Sequence, residues 1–457
     1  MKKAFAFLLL TITTALFLSA CSHDGAQLSA DSPVTLNLWH VYGSQTESPL
    51  NSLIDGFNRS TGREKGVLVN VTSVTNSTDI DAALIASAQR EPGAAALPDM
   101  FTAYPRIVEK LDSERLLNWS EYLSDEALSS YMPDFLSEGM FGERLLMLPI
   151  AKSTELCFIN RTLFERFAAE NDASLDDMTD FEQLFELCMR YYDWSGGQSL
   201  FQINDFYHYF ITGVSSLGGD FMTKDGSGGR IDFASDAFER VWRPMARAGI
   251  HGGLCIEDGY ASDRWKTAEV ISNIGSTAGI LYLRNYVTYA DNTTHAIETA
   301  ILPYPRFAGA SPTVMQRGTG LFAVLSDDER KNRAAAIFAG WITSGQPNVE
   351  FVTKAGYLPV TKEGFDSLIS GAYSVSNEKY RLLYDTVSGM YGSYAFCAQP
   401  RYDGAADVQA KFERSIKQVL RSAHAQYARR TDAGENAAAV MSQLESAALD
   451  ELIQLMQ

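Results

Sequence analysis

The stretch Pro33-Val34-Thr35-Leu36-Asn37-Leu38-Trp39-His40-Val41-Tyr42 begins with apolar residues at every second position, the period of a strand that turns one face into a core. Just downstream, Leu50, Leu53, Ile54 and Phe57 fall on one helical face that Gly62 can terminate. Val67, Val69 and Val71 alternate again, a helix is expected over residues 80–88, and Pro98-Asp99-Met100-Phe101 reads as a third short strand. This β-α-β-α-β rhythm argues for a parallel sheet with helices on its faces, and so for the α/β class.

Upstream of that strand, residues 22–32 are small and polar with no apolar period, as a flexible tether would be. Before them, Lys2 and Lys3 precede an apolar run over residues 4–17 that closes on Leu18-Ser19-Ala20-Cys21. A charged start, an apolar stretch too short to span a bilayer and small residues before a cut site mark residues 1–20 as a secretory signal peptide. The cysteine at the cleavage position resembles a bacterial lipobox, which implies lipidation at Cys21 and a tether over 21–32. The plainer alternative is an ordinary signal with Cys21 near the cut by chance. No later run approaches about 18 apolar residues, so lipid and not a helix is expected to hold the chain at the membrane.

A chain of 457 residues exceeds what one core usually serves, which sets two domains as the expectation. With 56 acidic against 38 basic residues, the net charge of -18 excludes nucleic acid and anionic lipid surfaces as partners. Cys157, Cys188, Cys255 and Cys397 are widely spaced and form no C-x-x-C pair, so no zinc or thioredoxin-type site is suggested. A disulfide among them is allowed outside the cytoplasm, and buried free thiols are the simpler reading. The glycine-rich turn at 225–229 lacks the spacing of a calcium loop, so no metal is expected. Gly318-Thr319-Gly320-Leu321-Phe322-Ala323 fits G-x-G-x-x-A but leads into a strand over 319–325, not a helix, so no dinucleotide cofactor is expected. No G-x-S-x-G, H-E-x-x-H or P-loop is present, and no enzyme activity is expected; a pair of glycosidase carboxylates would meet only in space.

Three further segments carry the organisation. A polar knot, Lys152-Ser153-Thr154, breaks an apolar stretch; such groups need partners in a ligand, an opposite lobe or the crossing backbone. Residues 177–192 form an amphipathic helix, and Ser326-Asp327-Asp328-Glu329 reads as a capping box for the next one. From Ala405 to the end the chain is helical and alanine-rich.

In this order the segments resemble the family 1 extracellular solute-binding proteins of bacterial ABC importers. The resemblance rests on the strand leading into Trp39-His40-Val41-Tyr42, on Leu148-Pro149-Ile150 through Phe158-Ile159-Asn160-Arg161-Thr162-Leu163-Phe164, on Phe338 to Ser344, and on Lys354-Ala355-Gly356-Tyr357-Leu358-Pro359-Val360. Within the family the pattern is nearest to the glycerol-3-phosphate-binding type, through Pro149 to Thr154, Gly275-Ser276, Gly318 to Gly320 and Lys354 to Lys362. It departs from that type at Asn76 to Thr78, where an aromatic residue is missing, and at Pro105, where a glutamate is expected.

The resemblance implies a two-lobe periplasmic-binding-protein-like fold of type II, each lobe a mainly parallel sheet flanked by helices, with the ligand in the cleft between them. The expected lobes are 33–149 with 297–344, and 150–296 with 345–457. It also implies a monomeric, extracytoplasmic receptor, lipid-anchored to a bacterial membrane. Such a receptor carries a sugar or glycerol-phosphate-type solute to ABC permease subunits and needs no cofactor. A secreted glycan hydrolase and a ligand sensor are the alternatives.

Ligand-facing residues are expected at the carboxyl ends of parallel strands. Trp39 and Tyr42 lie there, Trp39 with core packing as its alternative, and Tyr104 follows the third strand. Ser153 and Thr154 belong to the knot. Ser276 heads a helix and either meets the ligand or caps the helix. Gly318 and Tyr357 take ligand positions through the resemblance, with hinge packing as the alternative for Tyr357. Arg401 either pairs a phosphate or is a solvated surface arginine. If Cys21 is the lipid site, Cys21→Ser is expected to release the protein from membranes or block its processing, read by detergent partitioning. Normal cleavage with retained partitioning would remove the anchor.

Overall fold

The structure, a computed structural model, describes residues 27–42, 48–223, 229–375, 377–402 and 404–457. Cys21, its leader and the turn residues 225–228 lie outside the described residues. Two five-stranded sheets are built from β1 (Val34–His40), β2 (Val67–Ser73), β3 (Met100–Ala103), β4 (Leu148–Pro149), β5 (Glu155–Asn160), β6 (Phe201–Ile203), β7 (Leu254–Cys255), β8 (Ser272–Ser276), β9 (Thr299–Leu302) and β10 (Gly320–Ala323).

The first sheet has the order β2-β1-β3-β10-β4 and the second β9-β5-β8-β6-β7. In the first, β1 runs parallel to β2 and β3, and β10 runs antiparallel to both β3 and β4. In the second, β8, β6 and β7 are parallel, and β5 opposes both β8 and β9. Each sheet therefore has four strands running one way and one reversed. The reversed strand is in each case the one that enters straight from a crossing between the lobes: β5 after Thr154, β10 after Thr319. A strand arriving from the cleft must run against those that end there, so the carboxyl ends of the other strands face the cleft.

The alternation of β1 buries Leu36 and Leu38 with Phe57 and Phe338, while Trp39 lies on the opposite face against the layer of Phe101 and Phe322. The second face is covered at β3 and β10, whose residues are all buried, while Thr35, Asn37 and Leu68 leave it open to solvent on β1 and β2. The helix Pro49–Arg59, capped by Ser48, buries Leu50, Ile54 and Phe57. Gly62 does not end it. It lies in the next short helix, where an added Cβ would meet Val67 O at 2.5 Å and Phe57 O at 2.9 Å; the left-handed stop is Gly66. The later helix Glu329–Thr343 is capped by Asp328 and not by Ser326. The terminal pair Ala405–Asp432 and Ala437–Met456 buries Phe412, Ile416, Val419 and Leu452 in the second lobe's core.

Three segments cross between the lobes and are stitched to one another. Lys152 bridges Leu358, and Ser153 bridges Arg317, each through antiparallel backbone hydrogen bonds. The Asn348 side chain donates to Ile150 O at 2.7 Å and accepts from Val360 N at 3.0 Å, tying the first crossing to the third. Gly318, at φ +112°, has no room for a Cβ, which would lie 2.5 Å from Ala151 O.

Two stretches lie on the other side from the lobe expected. β9 pairs with β5 in the second sheet, although 297–344 was assigned to the first lobe. Phe351, Val352 and Val360 pack into the first sheet's core, although 345–457 was assigned to the second. Both differences arise from the second and third crossings, whose partners are remote in sequence.

At the centre of the crossings Lys152, fully buried, forms an ion pair with Glu138, which also accepts from Gln316 Nε2 at 2.8 Å. Removing one partner strands a buried charge. Lys152→Met is expected to cost about 3–5 kcal/mol, and adding Glu138→Leu is expected to restore much of it. Urea denaturation of the two variants reads the difference; equal stability of the single and double variants would mean the pair is not coupled.

Candidate functional site

The carboxyl end of β3 delivers Tyr104, which opens the 3-10 turn Pro105–Glu109. Arg106 lies 4.9 Å over the Tyr104 ring and is held there by Asp81 Oδ2, at 2.8 Å from Nη2. From the other lobe β6 delivers Asp205, the cap of the helix Phe206–Ser216, with His208 in its first turn. The second crossing supplies Gln316 and Arg317 between them. Tyr104, Glu138, His208, Gln316, Arg317 and Arg401 face a common interlobe cavity, partly open to solvent.

Arg317 is the electrostatic centre. Its Nη1 donates to Glu155 Oε1 at 2.8 Å, and its Nη2 lies 3.9 Å from Asp205 Oδ2. Burial disfavours its charge, but Glu155, then Tyr104 and Asp205, outweigh that and hold it firmly protonated. Burial likewise pushes Asp205 up, and the neighbouring His208 and Arg317 reverse the sign, leaving a stable carboxylate. Glu413, on the helix Ala405–Asp432, meets Asp205 from behind and accepts from Tyr207 N at 2.7 Å. Desolvation and the Asp205 charge push its carboxyl up to about 8.

The residues expected from sequence divide into three groups. Tyr104 and Arg401 reach the cavity. Arg401 is already engaged: Nη1 donates to the carbonyls of Glu138 at 3.1 Å and Met140 at 3.0 Å, and the guanidinium lies 4.8 Å over the Phe141 ring. Tyr42 and Tyr357 meet edge to face at 5.4 Å behind the cavity, with the Tyr42 hydroxyl 2.7 Å from Thr319 Oγ1. Burial raises the Tyr357 phenol well above its ordinary range; Tyr42, Tyr104 and Tyr282 add to the effect and Arg317 opposes it, which places Tyr357 among those groups.

Ser153, Thr154 and Gly318 belong to the crossings. Thr154 Oγ1 donates to Met315 O at 3.1 Å, its carbonyl accepts from Thr277 N at 2.8 Å, and Gly318 O accepts from Lys152 Nζ at 3.4 Å. Ser276 caps the turn Thr277–Tyr282 through its hydroxyl, and Trp39 lies half-buried against the layer of Phe101 and Phe322.

Sequence reasoning missed Glu138, His208, Gln316 and Arg317. The only available signal was the polar pair Gln316-Arg317 ahead of Gly318; His208 sits in the apolar run Phe206-Tyr207-His208-Tyr209-Phe210 and reads as core. Where Pro105 replaces the expected glutamate, Glu109 lines the same cavity one turn later. Cys157, Cys188, Cys255 and Cys397 are free thiols. Among the described residues, no group of three or more His, Cys, Asp or Glu side chains is arranged to hold a metal, and no helix is long and apolar enough to cross a membrane.

Two α/β lobes joined by three crossings around a polar, tyrosine-flanked cleft define a hinged binding protein. The chain belongs to the bacterial extracellular solute-binding proteins, whose family model matches residues 52–369. Comparison with curated proteins finds no match. Among solved structures the fold is similar to the cyclic alpha-maltosyl-1,6-maltose binding protein from Arthrobacter globiformis, at 18% identity and TM-score 0.64, covering 92% of this chain and 99% of that one. It is similar to UgpB from Mycobacterium tuberculosis in complex with glycerophosphocholine, at 16% identity and TM-score 0.65, covering 93% and 100%. The GacH receptor of Streptomyces glaucescens, solved unliganded and with acarbose, gives 15% identity and TM-score 0.62 over 92% and 98%.

Glu413 makes stability depend on pH. Its carboxyl is pushed up to about 8 in the folded protein from an ordinary value of 4.5. The folded state thus keeps a proton that the unfolded chain releases, and that contribution is present at low pH and lost as pH rises from 4.5 towards 8. Glu413→Gln, neutral at every pH, is expected to match wild type near pH 5 and to exceed it at pH 9 by on the order of 2–4 kcal/mol. Urea denaturation across that range measures it; a difference independent of pH would mean that Glu413 titrates normally.

Proposed function

We propose that this solute-binding protein captures a neutral carbohydrate in the interlobe cleft and hands it to the membrane subunits of an ABC importer, tethered outside the cytoplasm by lipid on Cys21. The observation that carries the choice of solute is the charge balance of the cleft. Arg106 is paired with Asp81, Arg317 with Glu155 and Asp205, and Lys152 with Glu138; Arg401 donates through Nη1 to two backbone carbonyls. Counting Glu109, four cations face five carboxylates, and no surplus positive charge awaits a phosphate dianion. Hydroxyl groups suit such a site, because they exchange hydrogen bonds with paired ions without adding charge. Tyr104, on the cavity wall, supplies aromatic surface for the apolar face of a sugar ring.

A zwitterionic glycerophosphodiester is the second reading, favoured by the aromatic ring of Tyr104 on the same cavity as Arg317. It fits the glycerophosphocholine named for one structural neighbour. A binding role without catalysis accords with the family. Lobes that hinge on three crossings are expected to close over bound solute.

Calorimetry over maltose-type oligosaccharides, glycerophosphocholine and glycerol 3-phosphate separates these readings. The expected order places neutral saccharides first and glycerol 3-phosphate last, by at least ~10-fold. Small-angle scattering at saturation is expected to show a smaller radius of gyration. Preferred binding of the dianion would overturn the carbohydrate reading.

A further inference from the structure

His208 is 4% exposed, yet it faces the interlobe cavity. Its Nδ1 lies 3.1 Å from Asp205 Oδ2 and 3.7 Å from Glu155 Oε1, out of line for a hydrogen bond with either, and its Nε2 has no polar partner among the described residues. A buried ring nitrogen left without a partner is uncommon, and the great majority of buried polar atoms are satisfied by protein or by something bound. The imidazole is not loose. Asp205 caps the helix that carries it and accepts its backbone N–H at 2.9 Å, and Glu155 lies beside the ring.

Arg317 completes the arrangement. Glu155 takes one of its terminal nitrogens, while the side chain keeps 22% of its surface, on the same cavity as His208. A guanidinium carries five N–H donors in a fixed fork, so donors remain for a solute.

We infer that His208 and Arg317 form the inner anchor of the solute site and together grip adjacent oxygen atoms of the solute. Arg317 donates to one oxygen. The His208 imidazole exchanges a hydrogen bond with its neighbour, either as donor to an oxygen or as acceptor from a hydroxyl. Asp205 and Glu155 are positioning residues that aim the pair. A vicinal diol of a sugar offers two oxygens of this kind, so the inference deepens the carbohydrate reading and rests on it for the identity of the solute. It differs from the expectation that Arg401 holds the solute, since Arg401 is bonded to the backbone of the opposite lobe.

The test uses the mature protein with His208→Leu and His208→Gln, titrated by calorimetry against the maltose-type oligosaccharides, glycerophosphocholine and glycerol 3-phosphate, with unliganded melting temperatures measured in parallel. His208→Leu is expected to lose at least ~10-fold in affinity for the solute that wild type binds, measured at a temperature where the unliganded variant is still folded. His208→Gln is expected to recover part of the loss. In wild type, nitrogen chemical shifts of the His208 ring are expected to move on saturation.

Unchanged affinity of His208→Leu, or a lost affinity that simply follows a lowered melting temperature and is not recovered by glutamine, overturns the inference and leaves the carbohydrate reading standing. If wild type binds only a phosphorylated solute and His208→Leu weakens that binding, the carbohydrate reading falls and the anchor stands. Binding of nothing in the panel overturns both.

Discussion

The structure turns on an ion pair placed where a charge is most expensive to keep. Lys152 lies in the first crossing with no exposed surface, and Glu138 is its ionic partner. Around them the three crossings exchange backbone hydrogen bonds, Lys152 with Leu358 and Ser153 with Arg317. Such a pair adds little net stability over well-packed apolar groups, since desolvation offsets most of the attraction. What it fixes is geometry: a charge at this point tolerates only one arrangement of the strands beside it. The lobes hang from that arrangement.

From this centre polar side chains lead outward into the second lobe. Glu138 holds Gln316, and the neighbouring Arg317 holds Glu155 and reaches Asp205; Asp205 approaches His208 and Glu413 in turn. The path runs from the hinge, past the cavity, to the long helix near the carboxyl end. Opposite charges adjoin along part of it, and Arg317 and Asp205 each favour the charged form of the other. Glu413, last in the row and next to another carboxylate, is the exception, and it holds its proton. The cleft therefore presents fixed dipoles and paired ions instead of net charge, which is the setting in which a polyhydroxylated solute replaces water with the least electrostatic cost.

Much of the architecture was legible because periodicity is local. The alternation in 34–38, the helical face of Leu50, Ile54 and Phe57 and the amphipathic stretch before Tyr192 all became the elements expected. Lys152-Ser153-Thr154 stood out because polar groups in an apolar strand need partners. Which partners was not legible: Arg317 lies 162 residues from Glu155, and nothing in a one-dimensional pattern encodes that distance. His208 was hidden for the opposite reason, as its neighbours are core residues and it shares their burial. Ser276 caps a short turn and Trp39 lies half-buried against the Phe101 and Phe322 layer, local settings that the sequence around each already implied.

The placement of β10 between β3 and β4 has a consequence for how the chain acquires its shape. The second sheet is drawn from one uninterrupted stretch, residues 155–302, so its strand pairings close comparatively short loops. The first sheet joins residues 34–149 to a strand that begins at Gly320, and its middle stays open until that strand arrives. Loop closure over such separations slows folding. The sheet that comes first in the sequence is thus the one whose strands are complete second, and a chain emerging from its amino end keeps that sheet open until the reversed strand is available.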